Sequence, residues 1–267
     1  MSDHTTQFTG DVPGFYDRYL GPVLFEPYAA DLVRRLPDGE GLRVLETACG
    51  SGIVTRRIRE ALPDSATLVA TDLNDAMVDY AREAVLDPRV TWQTADADEL
   101  PFEDGAFDVV VCQFGLMFLP DKPLGFREAR RVLAPGGRLL ANVWLPLEEN
   151  EYALTAHRHV SRLFPEDPPR FFETPFGYSD RATLTRDLTA GGWVQFSFDD
   201  VRVASPSPTA TDLATGFVHG SPLAFQLQER AADLPGLIAE LAAEFAALGG
   251  AEPFTANLAA TVITALR

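Results

Sequence analysis

Residues 43–144 alternate short apolar segments with amphipathic ones so regularly that few folds can accommodate them. Arg43–Thr47, Thr67–Thr71, Val90–Thr94, Phe107–Gln113 and Arg138–Trp144 read as strands. The stretches between them, one ending near Ala61 and two covering 75–85 and 124–133, repeat apolar residues at helical spacing. Val109, Val110 and Val111 form a continuous apolar run, which suits a parallel strand covered on both faces. Strict alternation of this kind predicts a doubly wound α/β sheet. The stop signal Pro135-Gly136-Gly137 separates the last helix from the fifth strand.

The flanks follow other rhythms. Residues 12–37 space Phe15, Tyr19, Val23, Tyr28, Leu32 and Leu36 at three to five residues, a helical pattern interrupted near Gly21-Pro22. After Trp144 come a helical stretch 149–163, a loop 164–178 rich in Phe and Pro, and a helix 180–190. Two further strands are expected, at 194–203 and 257–266, with the Ala-rich helical stretch 211–248 inserted between them. That insert, with 145–178, is expected over the carboxyl edge of the sheet, where ligands bind in this architecture. The expected organisation is a helical cap at 1–40, an alternating α/β core at 41–147, and a lid with the last strands at 148–267, all within one domain.

Composition narrows the partners. Among 267 residues, 39 are acidic and 22 basic, for a net charge of −17, and Lys122 is the single lysine. A chain that grips nucleic acid needs a basic patch to displace counterions, so a polyanionic partner is not expected. The two cysteines, Cys49 and Cys112, are too few for a zinc site or a secreted disulfide framework, and no metal is expected. The most apolar stretch, Phe107–Leu119, is too short to span a bilayer and contains Asp108 and Gln113. With no apolar leader in the first ten residues, a cytoplasmic protein is expected.

The first strand runs into Glu46-Thr47-Ala48-Cys49-Gly50-Ser51-Gly52. Glycines here let the backbone turn sharply and approach a ligand, ahead of a helix N-terminus with free N–H groups. Asp72 follows at the end of the second strand, placed either to accept from a ribose diol or to cap the next helix. The pair also fits a nicotinamide dinucleotide site, but the third glycine of that fingerprint would fall on Thr55.

Two later segments decide between these. Ala95-Asp96-Ala97-Asp98-Glu99-Leu100-Pro101-Phe102 follows the third strand, and Arg131-Val132-Leu133-Ala134-Pro135-Gly136-Gly137 follows the last helix of the alternating region. With these motifs in order, residues 43–144 resemble the class I S-adenosylmethionine-dependent methyltransferases, within them the group of the ubiquinone and menaquinone C-methyltransferases. The resemblance implies a Rossmann-like, doubly wound, seven-stranded sheet with its last strand antiparallel and helical lid insertions. The implied cofactor is S-adenosyl-L-methionine, with S-adenosyl-L-homocysteine as product. Glu46, Gly50 and Gly52 would hold the methionine moiety, with Thr47, Ala48 and Met77 completing the set. Asp72 would bind the ribose hydroxyls, Leu73 would pack on the adenine, Asp96 would accept from its amino group, and Ala97 would add a backbone contact. Gln113, Phe114 and Met117 would sit near the methyl end, and Tyr16 and Tyr19 would close over the cofactor. Ala48 departs from the family, where many relatives carry glycine. The segment Val111-Cys112-Gln113-Phe114-Gly115 also lacks the Asn/Asp-Pro-Pro-Tyr/Phe turn that grips planar amino groups in N-methylating relatives.

The implied reaction is in-line displacement, giving methyl transfer to an oxygen or carbon of a small hydrophobic or aromatic metabolite of natural-product or quinone type. A cofactor-binding scaffold, or a non-methylating cyclase of the same fold, is the alternative. His157 and His219 are the candidate bases, chosen because histidine titrates near neutrality. His4 and His159 are weaker candidates. Phe172, Phe176 and Tyr178 are the candidate walls of the acceptor pocket. The partner is a small-molecule acceptor, with neither nucleic acid nor membrane, and a monomer or homodimer is expected.

Overall fold

The computed structural model describes residues 12–267, and its five parallel strands fall where the apolar runs place them. They are β1 (Arg43–Glu46), β2 (Thr67–Asp72), β3 (Val90–Thr94), β4 (Phe107–Gln113) and β5 (Leu133–Trp144). Leu45 pairs with Val69 and Val110, and the adjacent Val44 with Leu68 and Val109, so the centre of the sheet is aliphatic on both faces. Two long strands complete it, β6 (Gln195–Ser207) and β7 (Phe254–Leu266). The order is β3-β2-β1-β4-β5-β7-β6, with β7 antiparallel to both neighbours. This is the seven-stranded, Rossmann-like sheet that the resemblance implies.

Helices α3 (Ile53–Ala61), α4 (Asp75–Ala84) and α5 (Lys122–Val132) fill the crossovers. The N-terminal stretch is helical throughout, but not uniformly so. Short α1 (Val12–Phe15) leads into a π-type helix, Tyr16–Phe25, and then α2 (Glu26–Arg34). Its wider winding closes with the Glu26 N–H on the Gly21 carbonyl, five residues back, and it carries Pro22 without breaking. One expected boundary shifts. Pro135-Gly136-Gly137 lies inside β5, because Leu133 already pairs with Phe107 and the ladder takes up the extra residues as a register shift.

Beyond β5 the chain forms α6 (Glu151–Leu163), short α7 (Glu173–Gly177) within the expected loop, and α8 (Arg181–Ala190). Between β6 and β7 it forms α9 (Ala210–His219), α10 (Leu223–Glu229) and α11 (Leu234–Gly249). Buried Asn150 ties this part to the sheet. Its amide donates to the carbonyls of Leu145 and Ala259, and its Oδ1 accepts from the Ala259 N–H at 2.9 Å. No helix of the described residues is long and apolar enough to cross a membrane.

Candidate active site

β1 delivers Glu46 to the floor of the glycine turn. The side chain is 1% exposed and its Oε2 has no hydrogen-bond partner. Burial is the main reason its pKa is pushed up to about 8; facing Thr55 partly offsets this, and the charge of Asp72 adds to it. Above it, Ala48, Gly50 and Gly52 all take positive φ, at 55°, 55° and 85°. The two glycines serve different ends. A Cβ on Gly50 would meet nothing within 4 Å, because that side opens into a cavity. A Cβ on Gly52 would lie 3.0 Å from Val85 and 3.2 Å from Ala81, so this glycine lets α3 seat against α4 and does not line the cavity.

Asp72 locks the turn to the tip of β2. Its Oδ2 accepts from the Gly50 N–H at 2.9 Å and its Oδ1 from the Asn74 N–H at 2.9 Å. Burial raises its pKa and these hydrogen bonds oppose the rise. The helix-cap alternative is thus only half met: Asp72 makes an Asx-type turn ahead of α4, whose N-cap position is Asn74.

These tips surround a cavity. Of the expected cofactor residues, the structure brings Tyr16, Ala48, Gly50, Asp72, Leu73 and Met77 to its walls, and likewise Asp96, Ala97, Gln113 and Phe114. Gln113 donates from Nε2 to the Phe25 carbonyl at 3.2 Å, leaving Oε1 buried without a partner. Glu46 and Thr47 lie beneath the turn and not on the wall. Met117 is buried behind it, and its neighbours Phe118, Leu119 and Pro120 take the wall position because the chain turns after β4. Tyr19 also misses. On a π-type helix the residues sharing the Tyr16 face come four or five positions on, so Leu20 joins Tyr16 while Tyr19 stacks on Phe15 at 5.9 Å and borders a separate pocket with Ala76 and Tyr80.

A second chamber adjoins the first. Phe172 and Phe176 line it as expected, and Leu20, Phe25, Trp144, Tyr152 and Phe217 join them from distant parts of the chain. Phe114 and Trp144 stack at 3.9 Å and 7°, with Phe114 held at φ 52° by two acceptors on Asn142, the carbonyl and Oδ1. Among the described residues no lining side chain carries a formal charge. Tyr16, Phe114 and Phe118 border both spaces.

Tyr178 is not part of this chamber. Its buried hydroxyl needs a partner and finds Asp187 of α8 at 3.0 Å, which turns the ring under Lys122. Neither candidate base lines either space. The His157 ring lies behind Phe172, at 5.8 Å, and His219 packs on Phe15 at 4.9 Å. His159 is buried between α6 and α11, with Glu244 at 2.9 Å and Glu240 at 3.4 Å. His4 lies outside the described residues. Nothing in the local pattern near Trp144, Tyr152 or Phe217 distinguishes them from ordinary core positions; only their convergence does.

Residues 44–137 match the family model of the methyltransferase domain. The chain is 39% identical over 104 residues to the ubiquinone/menaquinone biosynthesis C-methyltransferase UbiE of Idiomarina loihiensis, covering 38% of this chain and 41% of that relative. It is 30% identical over 172 residues to the UbiE of Geobacter sp. (strain M21), covering 60% of this chain and 72% of the relative. Against the Idiomarina relative, then, the match spans only about two fifths of the relative's length. Among solved structures, phosphoethanolamine N-methyltransferase 2 of Haemonchus contortus superposes with a TM-score of 0.62 at 19% identity, over 98% of this chain and 58% of that one. The [4+2]-cyclase SpnF does so with a TM-score of 0.57 at 20% identity, over 91% and 80%. At those identities the likeness is one of fold. The motif-bearing sheet edge and the match across most of the Geobacter relative together place this chain in the class I S-adenosylmethionine-dependent methyltransferase family, in the group of the ubiquinone and menaquinone C-methyltransferases, with S-adenosylmethionine as its cofactor.

Proposed function

We propose that this chain methylates an oxygen or carbon atom of a small hydrophobic or aromatic metabolite, of the tailoring or quinone type, by in-line displacement. The observation that carries this reading is the common wall. Tyr16, Phe114 and Phe118 separate a cavity with polar tips from a chamber without charge, so two bound molecules would meet across three rings.

The residues present fit the cofactor. Glu46 Oε2 and Gln113 Oε1 are buried acceptors without partners near the glycine turn, and the ammonium of a methionine moiety is a donor. In this reading Ala48, Gly50 and Gln113 hold that end, with Glu46 and Thr47 supporting the turn from beneath and Gly52 acting through the seating of α3. Asp72 accepts from the ribose hydroxyls, Leu73 and Met77 pack on the adenine side, Asp96 accepts from the adenine amino group, and Ala97 adds a backbone contact. The cofactor supplies a sulfonium methyl that is already activated. The chain's share is to align the acceptor atom behind it and to exclude water, which the aromatic walls do. Phe172 and Phe176 form the far wall of the acceptor site. The charge-free lining suits a neutral, electron-rich phenol or ring carbon, and because no histidine lines the chamber the proton displaced on methylation passes to solvent. The names of the UbiE relatives make quinone-type rings the first acceptors to try. A neutral small molecule also accords with the net charge of −17 better than a nucleic acid does.

The test is release of S-adenosylhomocysteine from the purified chain with a panel of hydroquinones, naphthols and aliphatic alcohols. Turnover with the ring compounds and not with the alcohols is expected. Turnover of none, with intact cofactor binding, would remove the acceptor assignment. Conversion of an acceptor without release of S-adenosylhomocysteine would favour the second reading, a reaction that uses the bound cofactor without consuming its methyl group.

A further inference from the structure

Three side chains lining the aromatic chamber carry a hydroxyl: Tyr16, Tyr152 and Ser221. Ser221 is satisfied within its own segment, its Oγ donating to the Phe217 carbonyl at 3.0 Å. Tyr16 stands in the common wall and serves both spaces. Tyr152, on α6, differs from both. It is 2% exposed, and its hydroxyl is buried with no hydrogen-bond partner among the described residues. A buried tyrosine hydroxyl ordinarily finds a partner, because leaving it unpaired is costly. The neighbouring buried tyrosine, Tyr28, illustrates the rule: its hydroxyl donates to the Val201 carbonyl on β6 at 3.1 Å. Tyr152 packs on Phe217, with ring centroids 5.9 Å apart, and Phe217 is itself a wall of the chamber.

We propose that Tyr152 is the polar determinant of the acceptor chamber, its hydroxyl donating a hydrogen bond to a carbonyl or hydroxyl oxygen carried by a planar, neutral acceptor. The proposal rests on reading the chamber as the acceptor site. Burial holds the phenol far above its ordinary pKa, so the group acts as a donor and not as a base. Stacked rings such as Phe114 on Trp144 favour a flat partner, and flat hydrocarbons would otherwise bind as well as oxygenated ones. One buried donor converts that indifference into a preference, because an acceptor without oxygen leaves the hydroxyl unpaired.

The experiment compares binding of 2-naphthol and naphthalene to the full chain saturated with S-adenosylhomocysteine, by calorimetric titration. In Tyr152→Phe the ratio of the two affinities is expected to fall about tenfold, through loss of the phenol and not of the hydrocarbon. Tyr28→Phe removes a buried hydroxyl outside the chamber and should leave the ratio unchanged. A ratio in Tyr152→Phe within twofold of the parent chain's, or an equal fall in Tyr28→Phe, would overturn the proposal. Failure of both probes to bind the parent chain while S-adenosylhomocysteine binds would overturn both the proposal and the acceptor chamber. Failure of S-adenosylhomocysteine itself to bind would strike the cofactor site instead.

Discussion

The two spaces that meet at Tyr16 are built on opposite terms. The larger one is assembled from the tips of adjacent parallel strands, and its few polar side chains are tied to the backbone by hydrogen bonds: Asp72 to Gly50 and Asn74, Gln113 to Phe25. The smaller one is assembled mainly from rings supplied by the N-terminal helix, β5, α6, α7 and α9, whose side chains are held by packing. The first depends on backbone geometry, so substitutions there should act through a few hydrogen bonds and dihedral angles. The second depends on side-chain volume, so it can be reshaped while the first persists. This division can be broken or sharpened experimentally.

The largest effect is expected from Asp72→Ala. It removes a carboxylate that accepts from two backbone N–H groups at the turn, and affinity for S-adenosylhomocysteine should fall by about a hundredfold or more, measured by calorimetry. An affinity within threefold of the parent would mean that the turn does not govern the cavity.

Glu46→Gln tests the buried carboxyl. Folded Glu46 holds its proton up to about pH 8, whereas the unfolded chain releases it near the ordinary carboxyl value of about 4.3. Between those values the folded state binds more protons, so this group's contribution to stability falls as pH rises, with a slope approaching about 1.4 kcal/mol per pH unit. Urea midpoints at pH 5, 6.5 and 8 should show the glutamine variant gaining on the parent as pH increases. A constant difference would place the Glu46 carboxyl outside that window.

Phe172→Leu trims a fully buried ring on the chamber wall. Stability should drop by about 1–1.5 kcal/mol and acceptor turnover by about tenfold, with cofactor affinity unchanged. A parallel loss of cofactor affinity would break the separation between the two regions. The smallest effect belongs to Ala48→Gly. Ala48 sits at φ 55°, and glycine there relieves strain but adds chain entropy in the unfolded state, so the net change should stay within about 1 kcal/mol by thermal unfolding. A much larger loss would show that the Ala48 methyl, in contact distance of Gly115, is needed to shape the wall.

The same division explains what could be read before the structure. Five strand positions, the glycine turn and Asp72 follow from periodicity and short spacings, and Asp96 from the family resemblance; all are positions where neighbours in sequence decide the geometry. Tyr16 and Tyr19 are indistinguishable in the sequence because the helix type that separates them depends on how residues 16–25 pack on α3 and α9. Gly50 and Gly52 look alike for a similar reason: only α4, more than twenty residues on, shows that Gly52 is a packing position. Histidine invites selection as a base by its chemistry, yet His157 and His219 are placed by what surrounds their helices, and both lie off the cavity walls.

By itself the sequence determined the doubly wound sheet and where its ligand-binding edge lies, because strand period, turn glycines and a carboxylate at a strand tip are properties of contiguous residues. The ordered motifs, through their family resemblance, named the cofactor. Tertiary structure alone decided the chamber: Tyr16, Trp144, Tyr152, Phe172 and Phe217 meet only after the helices fold over the carboxyl edge. Ring packing has no local signature, since the same phenylalanine serves equally in a core or in a wall, and only three-dimensional convergence distinguishes the two.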